Sequence, residues 1–235
     1  MVECDLASEA SGESIVAAIG NASRVVVAIG ASESDLGDVS GPYRVDAQAV
    51  IATVKAAKKA GHVQHFVLVS SLGTGKVGFP AAVLNLFFGV LVWKRQAEIA
   101  LESSGLNYTI VRPGGMERPT DEYKATHNVR LSPADTLFGG QISRLQVAEL
   151  IAAAILHPEV ASNKIAEAVA ETTAPWLPYE DLLKALPSDK PPSAPPRASA
   201  PAAPVSKSPG PRSLPTCEKS KTDPRAACPF PNALP

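Results

Sequence analysis

Short apolar runs, separated by segments with helical spacing, are the feature that most constrains what this chain can fold into. Residues 24–30 and 65–70 are two such runs, rich in valine and bounded by turn residues, a pattern typical of strands buried on both faces. Residues 43–60 have apolar side chains at helical spacing and are closed by Gly61. Because strands alternate with helices, the sequence predicts an α/β fold with a parallel sheet and right-handed crossovers.

The same alternation continues along the rest of the chain. Further strands are predicted at residues 2–6, 108–111 and 164–169, and further helices at residues 13–19, 145–157 and 179–186. A helix with Lys94 in its middle is predicted to run to Gly105, which can supply the left-handed turn that ends a helix. Residues 120–140 are polar and predict an excursion between two elements.

The end of the strand at residues 108–111 is the first candidate for a functional site. Pro113, Gly114 and Gly115 follow it closely, and glycine allows the backbone to approach another group. In open α/β sheets, ligands bind outside the carboxyl ends of the strands. The sequence therefore predicts a ligand at this strand end.

Composition changes abruptly at residue 188. Thirteen of the 22 prolines lie in residues 188–235, where seven Lys and Arg face three Asp and Glu; this segment carries +4 and the rest of the chain −5, for a net charge of −1. Such a segment cannot bury enough apolar surface to offset its ordering entropy. We predict a folded domain at residues 1–187 and a disordered Pro/Ser/Ala-rich tail at residues 188–235. The positive charge is too dilute to favour nucleic acid as a partner.

Three further features bound the function. The three cysteines and four histidines show no spacing typical of a disulfide framework or a metal centre, so no metal is predicted. No targeting segment is visible at the start, so no transit peptide is predicted in this chain. Residues 77–93 carry no charge, but 17 residues are at the lower limit for spanning a bilayer, and proline, asparagine and glycine interrupt them. We therefore favour a buried or interface helix over the alternative of membrane contact.

Several strings together resemble a known family. They include Val-Ser-Ser-Leu-Gly-Thr at residues 69–74, the segment at residues 76–87, Trp-Lys-Arg at residues 93–95, and Tyr-Thr-Ile-Val-Arg-Pro-Gly-Gly-Met-Glu-Arg-Pro at residues 108–119. Over roughly residues 1–187, the chain resembles the atypical short-chain dehydrogenase/reductase domain of the NAD(P)-binding subunits of the chloroplast inner-envelope protein-import translocon.

The resemblance implies a Rossmann-like domain that binds NADP or NAD, followed by a tail that docks ferredoxin–NADP reductase. It implies a redox-sensing adaptor whose partners are translocon subunits. It also implies a location in the chloroplast, at the inner envelope, in the stroma and at the thylakoid surface, with peripheral membrane association.

Two departures from the family pattern modify these expectations. The family opens with a strand and a Gly-rich loop that holds the pyrophosphate, and no such glycine string occurs near the start here. We therefore expect a Rossmann-like parallel sheet that lacks its first two strands, leaving residues 24–29 as a bare apolar edge prone to association. The reductase-docking repeats are also degenerate, because residues 179–182 and 190–193 hold separated pieces of the motif.

The resemblance also implies roles for individual residues. Lys94 would contact the nicotinamide ribose or a phosphate; the alternative is a solvated lysine on the helix surface. Ser71 corresponds to the serine of the superfamily; the alternative is a serine that hydrogen-bonds to the backbone of the turn. Asp5 and Leu6 would lie at the adenine, although Asp5 could instead cap the next segment. Ala28, Ile29 and Gly30 would lie along the adenosine half of the nucleotide. The backbone of Pro113, Gly114 and Gly115 would pass the nicotinamide edge.

Catalysis is the point on which the sequence leaves alternatives open. Dehydrogenases of this superfamily use Tyr-x-x-x-Lys, in which the tyrosine is the general acid. Lys94 occupies the lysine position, but Val90 stands where the tyrosine would be and cannot transfer a proton. Ser71 and Lys94 are the weak catalytic candidates that remain. The sequence favours a non-catalytic or weakly catalytic nucleotide-binding adaptor; an NADP-dependent oxidoreductase with another acid, or a scaffold that binds no nucleotide, are the alternatives.

Overall fold

Five strands form one sheet in a computed structural model that describes residues 3–4, 6, 11–31, 40–75, 89–116 and 119–189. The strands are β1 (Arg24–Val27), β2 (His65–Val69), β3 (Tyr108–Pro113), β4 (Asn128–Ser132) and β5 (Lys164–Glu171). Their order across the sheet is β1-β2-β3-β5-β4. Neighbours are parallel from β1 to β5, and β4 runs antiparallel to β5.

The helices connect these strands as the alternation predicts. They are α1 (Ser11–Ile19), a π-helical segment (Tyr43–Ala49) that continues into α2 (Val50–Ala60), α3 (Val90–Glu102), a 3₁₀ turn (Asp121–Ala125), α4 (Arg144–Leu156), α5 (Pro158–Ala161) and α6 (Tyr179–Ala185). Local chemistry fixes several ends. Ser143 and Gln146 form a reciprocal capping box at the start of α4, and Gly61 ends α2 with a φ of 73°.

Helices cover the sheet on both faces, because successive side chains of a strand point to opposite sides. On one face, Phe66, Leu68 and Ile110 pack with residues of α2 and α3. On the other face, Val67 and Val111 pack with residues of α4. The predicted α/β class and its mainly parallel sheet are confirmed.

The strand predicted at residues 24–30 is shorter than expected and is not buried on both faces. It ends at Val27, and Val26 is 41% exposed. Among the described residues, only β2 pairs with β1. The expectation of burial on both faces was wrong, because an apolar run by itself does not show whether a strand is central or lies at an edge of the sheet. The edge expected at residues 24–29 from the lack of the first two strands is confirmed among the described residues.

The segment at residues 120–140 contains a strand that the sequence analysis missed. β4 alternates between more and less buried side chains, with Val129 buried and Arg130 exposed. It pairs with β5 through five registered residues. The sheet is therefore mixed, because an antiparallel strand can be added at an edge without a crossover helix.

The strand before the predicted site is longer than expected. β3 continues through Pro113, which is in register with Ala168 of β5. Proline lacks an N–H and is tolerated at the end of a strand.

Several predicted segments lie outside the described residues. These include Asp5, residues 76–88 and residues 190–235. Of the strand predicted at residues 2–6, the described Glu3, Cys4 and Leu6 are not extended in a ladder. The domain boundary near residue 187 stays a prediction. Within the described ranges, no helix has both the length and the apolar character that crossing a bilayer requires.

Candidate functional site

A cleft of about 580 Å³ lies at the carboxyl ends of the parallel strands. Its walls come from residues 28–31 after β1, residues 69–73 at the end of β2, residues 113–116 at the end of β3, residues 137–140, and the side chains of Asp46, Val90 and Lys94. This is the edge of an open α/β sheet at which ligands bind.

The cleft brings together eight of the predicted cofactor-binding residues. These are Ala28, Ile29, Gly30, Ser71, Lys94, Pro113, Gly114 and Gly115. Leu6 is half-buried and does not line the cleft, and Asp5 lies outside the described residues. The eight residues that line the cleft lie together in the structure, whereas their contact with a nucleotide stays a prediction.

Lys94 lies inside the cleft and is paired with a carboxylate that sequence analysis did not single out. Its Nζ donates to Asp46 Oδ1 at 2.7 Å. The side chain of Asp46 is only 1% exposed and that of Lys94 is 16% exposed. The second carboxylate oxygen of Asp46 accepts the backbone N–H of Ala31 at 3.4 Å. Asp46 therefore ties the end of β1 to the Lys94 ammonium.

The helical segment that carries Asp46 is itself irregular. Residues Tyr43–Ala49 form a π-helix before α2 begins, and such segments are frequent at functional sites. A clue was present in the sequence, because Asp46 lies among apolar residues at helical spacing and a buried carboxylate requires a partner. Its partner is 48 residues away, so the sequence could not identify it.

Gly30 keeps the Asp46–Lys94 pair open to the cleft. A Cβ atom at this position would lie 3.6 Å from Asp46 Oδ1 and 3.8 Å from Lys94 Nζ. These are ordinary contact distances, so a methyl group fits and a longer side chain would cover the pair. A ligand that approaches this strand end therefore reaches the ammonium directly.

The turn after β2 gives its two serines different surroundings. Ser70 is buried, and its Oγ lies 3.3 Å from Thr74 Oγ1, while the Thr74 hydroxyl donates to the Ser71 carbonyl. Ser71 is half-buried, and its Oγ donates to the Leu72 carbonyl at a long 3.4 Å. Both serines line the cleft, but the Ser70 hydroxyl is engaged within the turn, whereas Ser71 makes only a long local bond.

The glycine pair after Pro113 approaches another part of the same chain. A Cβ atom on Gly114 would lie 2.5 Å from the Gly140 carbonyl oxygen. Gly115 donates its N–H to that oxygen at 3.0 Å, and Ile142 donates to the Gly115 carbonyl at 3.1 Å. The predicted close approach is real, but its partner at Gly114 is the backbone of Gly140 and Gln141.

A buried ionic network lies beneath this wall of the cleft. Arg112 Nε and Nη2 donate to the two carboxylate oxygens of Glu98 at 3.0 and 2.8 Å. Arg112 Nη1 donates to Asp135 at 2.9 Å and lies 3.6 Å from Glu167. Burial alone lowers the pKa of the Arg112 guanidinium, but its bonds to Glu98 and the nearby carboxylates outweigh that effect and raise it.

Glu167 fixes the loop that forms the far wall of the cleft. Its side chain is 0% exposed and accepts the backbone N–H groups of Asp135, Thr136 and Leu137 at 2.8, 3.1 and 2.7 Å. Leu137 and Phe138 then line the cleft. Sequence analysis missed this loop, because nothing local links residue 167 to residues 135–137.

None of the four tyrosines of the chain, all of which the structure describes, lines the cleft. Tyr43 packs edge-on against Trp93, Tyr123 stacks on His127, and Tyr179 donates to Glu149. Tyr108 is buried at the opposite end of β3. Val90 lines the cleft one helical turn before Lys94. The structure thus offers no replacement tyrosine for the missing acid.

Outside the cleft, the described residues contain one cluster of the kind that holds metals. Ligand-type atoms of His157, Glu159 and Glu180 lie within 4.8 Å of one another at the surface. Sequence spacing gave no sign of it, since Glu180 lies in α6, whereas His157 directly precedes α5 and Glu159 lies within it.

Comparison with known proteins identifies the ligand class. A profile of NAD(P)H-binding domains matches residues 1–158. The chain belongs to this NAD(P)H-binding family. Membership supports a nicotinamide nucleotide as cofactor without distinguishing NAD from NADP. The lining of the cleft is compatible with such a nucleotide, because it combines an ammonium group, small residues and an apolar wall.

Two plant proteins are similar to most of the chain. Protein TIC 62, chloroplastic, from Arabidopsis thaliana is 58% identical over 199 residues, which cover 85% of this chain and 30% of that protein. Its namesake from Pisum sativum is 59% identical over 191 residues, which cover 81% of this chain and 35% of that protein. The chain thus spans about a third of the length of these relatives.

A solved structure from Bacillus halodurans has the same fold. It is assigned provisionally to the NAD-dependent epimerases and dehydratases. The two structures align with a TM-score of 0.62 and 26% identity, over 79% of this chain and 77% of that chain. The Rossmann-like character of the sheet is therefore shared with NAD(P)-family proteins.

Proposed function

We propose that this chain is an NAD(P)H-binding, redox-responsive adaptor of the chloroplast protein-import machinery. The observation that carries the proposal is the convergence of Gly30, Ser71, Lys94 and residues 113–115 on one cleft. The 58% identity to a chloroplastic TIC 62 protein supports the compartment and the assembly. The inner envelope, the stroma and the thylakoid surface are the proposed sites of action, with peripheral membrane association.

The cofactor is NADP or NAD, and the cleft residues divide its recognition between them. Lys94, positioned by Asp46, donates to the ribose hydroxyls or a phosphate. The backbone at Pro113, Gly114 and Gly115 passes the nicotinamide edge, and residues 28–30 lie along the adenosine half. For Asp5 and Leu6, contact with the adenine stays a prediction.

The same cleft argues for sensing over turnover. A bound nicotinamide supplies hydride-transfer chemistry, and reduction of a carbonyl also requires a proton donor. Val90 cannot donate one, and no tyrosine lines the cleft. The rival function is an NADP-dependent oxidoreductase in which Ser71 or the Lys94 ammonium donates the proton. Both groups line the cleft, which keeps this rival open to test.

Ferredoxin–NADP reductase and translocon subunits are the proposed protein partners. One piece of the degenerate docking motif, residues 179–182, lies in α6. Tyr179 donates to Glu149 at 2.9 Å, and Leu183, which directly follows the piece, is fully buried. A partner that binds this piece as an extended peptide would have to unfold the helix. Docking of the reductase is therefore proposed for the chain beyond residue 189.

Nucleotide titration of the purified chain tests the proposal. We expect NADPH or NADH to bind with a Kd of roughly micromolar order, measured by calorimetry and nicotinamide fluorescence. Lys94→Gln should weaken binding by about tenfold, since one charge-assisted contact is lost. Lys55→Gln, on the exposed side of α2, is the matched control and should bind as the parent does. An absence of binding to both nucleotides would leave the scaffold alternative.

Turnover separates the adaptor from the oxidoreductase. Carbonyl acceptors are offered with NADPH, and nucleotide oxidation is followed by absorbance. The adaptor predicts no oxidation above the buffer rate. Steady turnover that is lost in Lys94→Gln while nucleotide still binds would establish the oxidoreductase instead.

A further inference from the structure

A second concavity lies away from the cleft, between α4, α6 and β4. Its volume is about 530 Å³, and none of its described lining residues lines the cleft. We refer to it as the Trp176 groove. Its apolar and aromatic walls include Leu156, Trp176, Leu177 and Tyr179, with His127 and His157 beside them.

The walls of the Trp176 groove are unusually exposed for such side chains. Trp176 is 75% exposed, Leu156 is 67% exposed and Leu177 is 45% exposed. Contiguous exposed apolar surface on a folded domain marks an interaction site. A groove lined by Trp and Tyr is the kind of surface that accepts proline-rich peptides in the polyproline II conformation.

The chain itself carries a segment of matching chemistry close to the groove. Residues 190–197 read Lys-Pro-Pro-Ser-Ala-Pro-Pro-Arg, with four prolines and a basic residue at each end. We propose that this segment binds in the Trp176 groove of the same chain. Proline rings would pack on Trp176 and Tyr179, and the indole N–H would donate to a backbone carbonyl, which polyproline II leaves unbonded.

The point at which the described chain ends makes this geometry feasible. The Asp189 N–H donates to the Asn163 carbonyl at 2.8 Å, which fixes the start of the segment. His157, at the groove, precedes Asn163 by six residues, so the two are at most about 20 Å apart even in a fully extended chain. Eight residues in polyproline II span about 25 Å, enough to reach the groove.

Charge complementarity supports the same occupant. Glu180 lines the groove, and Glu159 lies beside it, with Glu159 Oε1 and Glu180 Oε2 at 3.4 and 3.9 Å from His157 Nδ1. The segment carries Lys190 and Arg197 and no acidic residue. A basic end of the segment therefore meets the acidic end of the groove.

Fluorescence of Trp176 in the full chain tests the proposal. Trp93→Phe leaves Trp176 as the single tryptophan, since the chain has two. In this background, the prolines at positions 191, 192, 195 and 196 are replaced by alanine, and Lys190 and Arg197 by glutamate. We expect red-shifted emission and several-fold stronger acrylamide quenching of Trp176. The matched control replaces the prolines at positions 201, 204, 209 and 211 by alanine and should leave both quantities unchanged.

Two outcomes would overturn the proposal. Equal quenching of Trp176 in the parent, the segment variant and the control would show that residues 190–197 do not cover it. Protection of Trp176 that appears only as protein concentration rises would assign the groove to a second copy of the chain. A synthetic peptide of residues 190–197 gives an independent check, because it should protect Trp176 in the segment variant and not in the parent.

Discussion

Gly114 and Lys94 both line the cleft, yet contacts within the chain explain much of why a glycine and a lysine occupy these two positions. Gly114 is needed because the Gly140 backbone lies where a Cβ would be. Lys94 is held by Asp46, which is nearly inaccessible to water. At the scale of single residues, the predicted site positions therefore combine a structural contact with access to the ligand cleft.

Gly114→Ala should destabilise the domain. A Cβ atom 2.5 Å from the Gly140 carbonyl oxygen forces the backbone of Gly140 and Gln141 to shift, and overpacking of this kind costs about 1–3 kcal/mol. Chemical denaturation measures the free energy of unfolding. Gly139→Ala is the matched control, since a Cβ there would meet nothing within 4 Å. Equal stability of the two variants would contradict the prediction.

The two members of the Lys94–Asp46 pair should respond unequally to truncation. Lys94→Ala leaves a carboxylate of 1% exposure without its cation, whereas Asp46→Ala leaves an ammonium of 16% exposure. An unpaired buried charge is the costlier remnant. We expect Lys94→Ala to lower the free energy of unfolding by about 1–2 kcal/mol more than Asp46→Ala. The reverse order in denaturant melts would show that the pair is solvated in solution.

At the scale of elements, buried polar side chains join segments that are distant in sequence. Glu167 of β5 binds three backbone N–H groups of the loop after β4. At the other end of the sheet, the ring of His65 in β2 lies 3.0 Å from Thr109 Oγ1 of β3 and 3.3 Å from Ser162 Oγ after α5. These contacts fix loops and helix ends relative to the sheet.

Glu167→Gln should release the loop that forms the far wall of the cleft. The amide side chain loses the charge that Arg112 faces and one of its two acceptor oxygens. Loss of a charged acceptor from three buried bonds should cost about 2–3 kcal/mol. Hydrogen exchange of the Asp135, Thr136 and Leu137 amides should accelerate more than that of the β5 amides. Uniform acceleration across the sheet would instead indicate global destabilisation.

His65 should make folding sensitive to mild acid. Burial, with the charge of Arg24, lowers the pKa of His65 from 6.5 to about 4. Below pH 6.5 the unfolded chain therefore binds a proton that the folded chain rejects. Stability present above pH 6.5 is lost as pH falls to about 4, by about 3 kcal/mol in total. His65→Gln should flatten this part of the stability profile, whereas parallel profiles for parent and variant would contradict the assignment.

At the scale of the whole molecule, the edge of the sheet at β1 carries an exposed apolar side chain. Among the described residues, no strand pairs with the outer edge of β1, and Val26 is 41% exposed on the face opposite the α2 layer. Edges of this kind template pairing with further strands. The association expected from the sequence therefore has a specific location in the structure.

Val26→Lys should reduce self-association of the chain. A lysine on an edge strand opposes strand addition by charge and by desolvation cost. Light scattering and sedimentation at increasing concentration measure the effect. Val92→Lys, at an equally exposed position on α3 (47%), is the control and should associate as the parent does. A parent chain that remains monomeric at every concentration would contradict the prediction.

Local periodicity was sufficient to predict β2, β3 and α4, because each of these depends on residues within one short window. The ligand position at the strand end followed from the general rule that ligands bind outside the carboxyl ends of parallel strands. The sequence could not show that β4 joins the sheet, since its pairing depends on β5, more than 30 residues later. It also could not show that Leu137 and Phe138 reach the cleft.

The sequence by itself determined the alternation of strands and helices, the strand ends that carry the site, and the loss of the tyrosine at Val90. Only the tertiary structure decided that Asp46 holds Lys94, that Gly140 fills the space at Gly114, and that Glu167 fixes a loop. The physical reason is the separation along the chain over which each kind of interaction acts. Hydrophobic spacing and turn chemistry act between neighbours in the chain, whereas buried charges and close backbone contacts are satisfied by whichever residues the fold brings within a few ångströms.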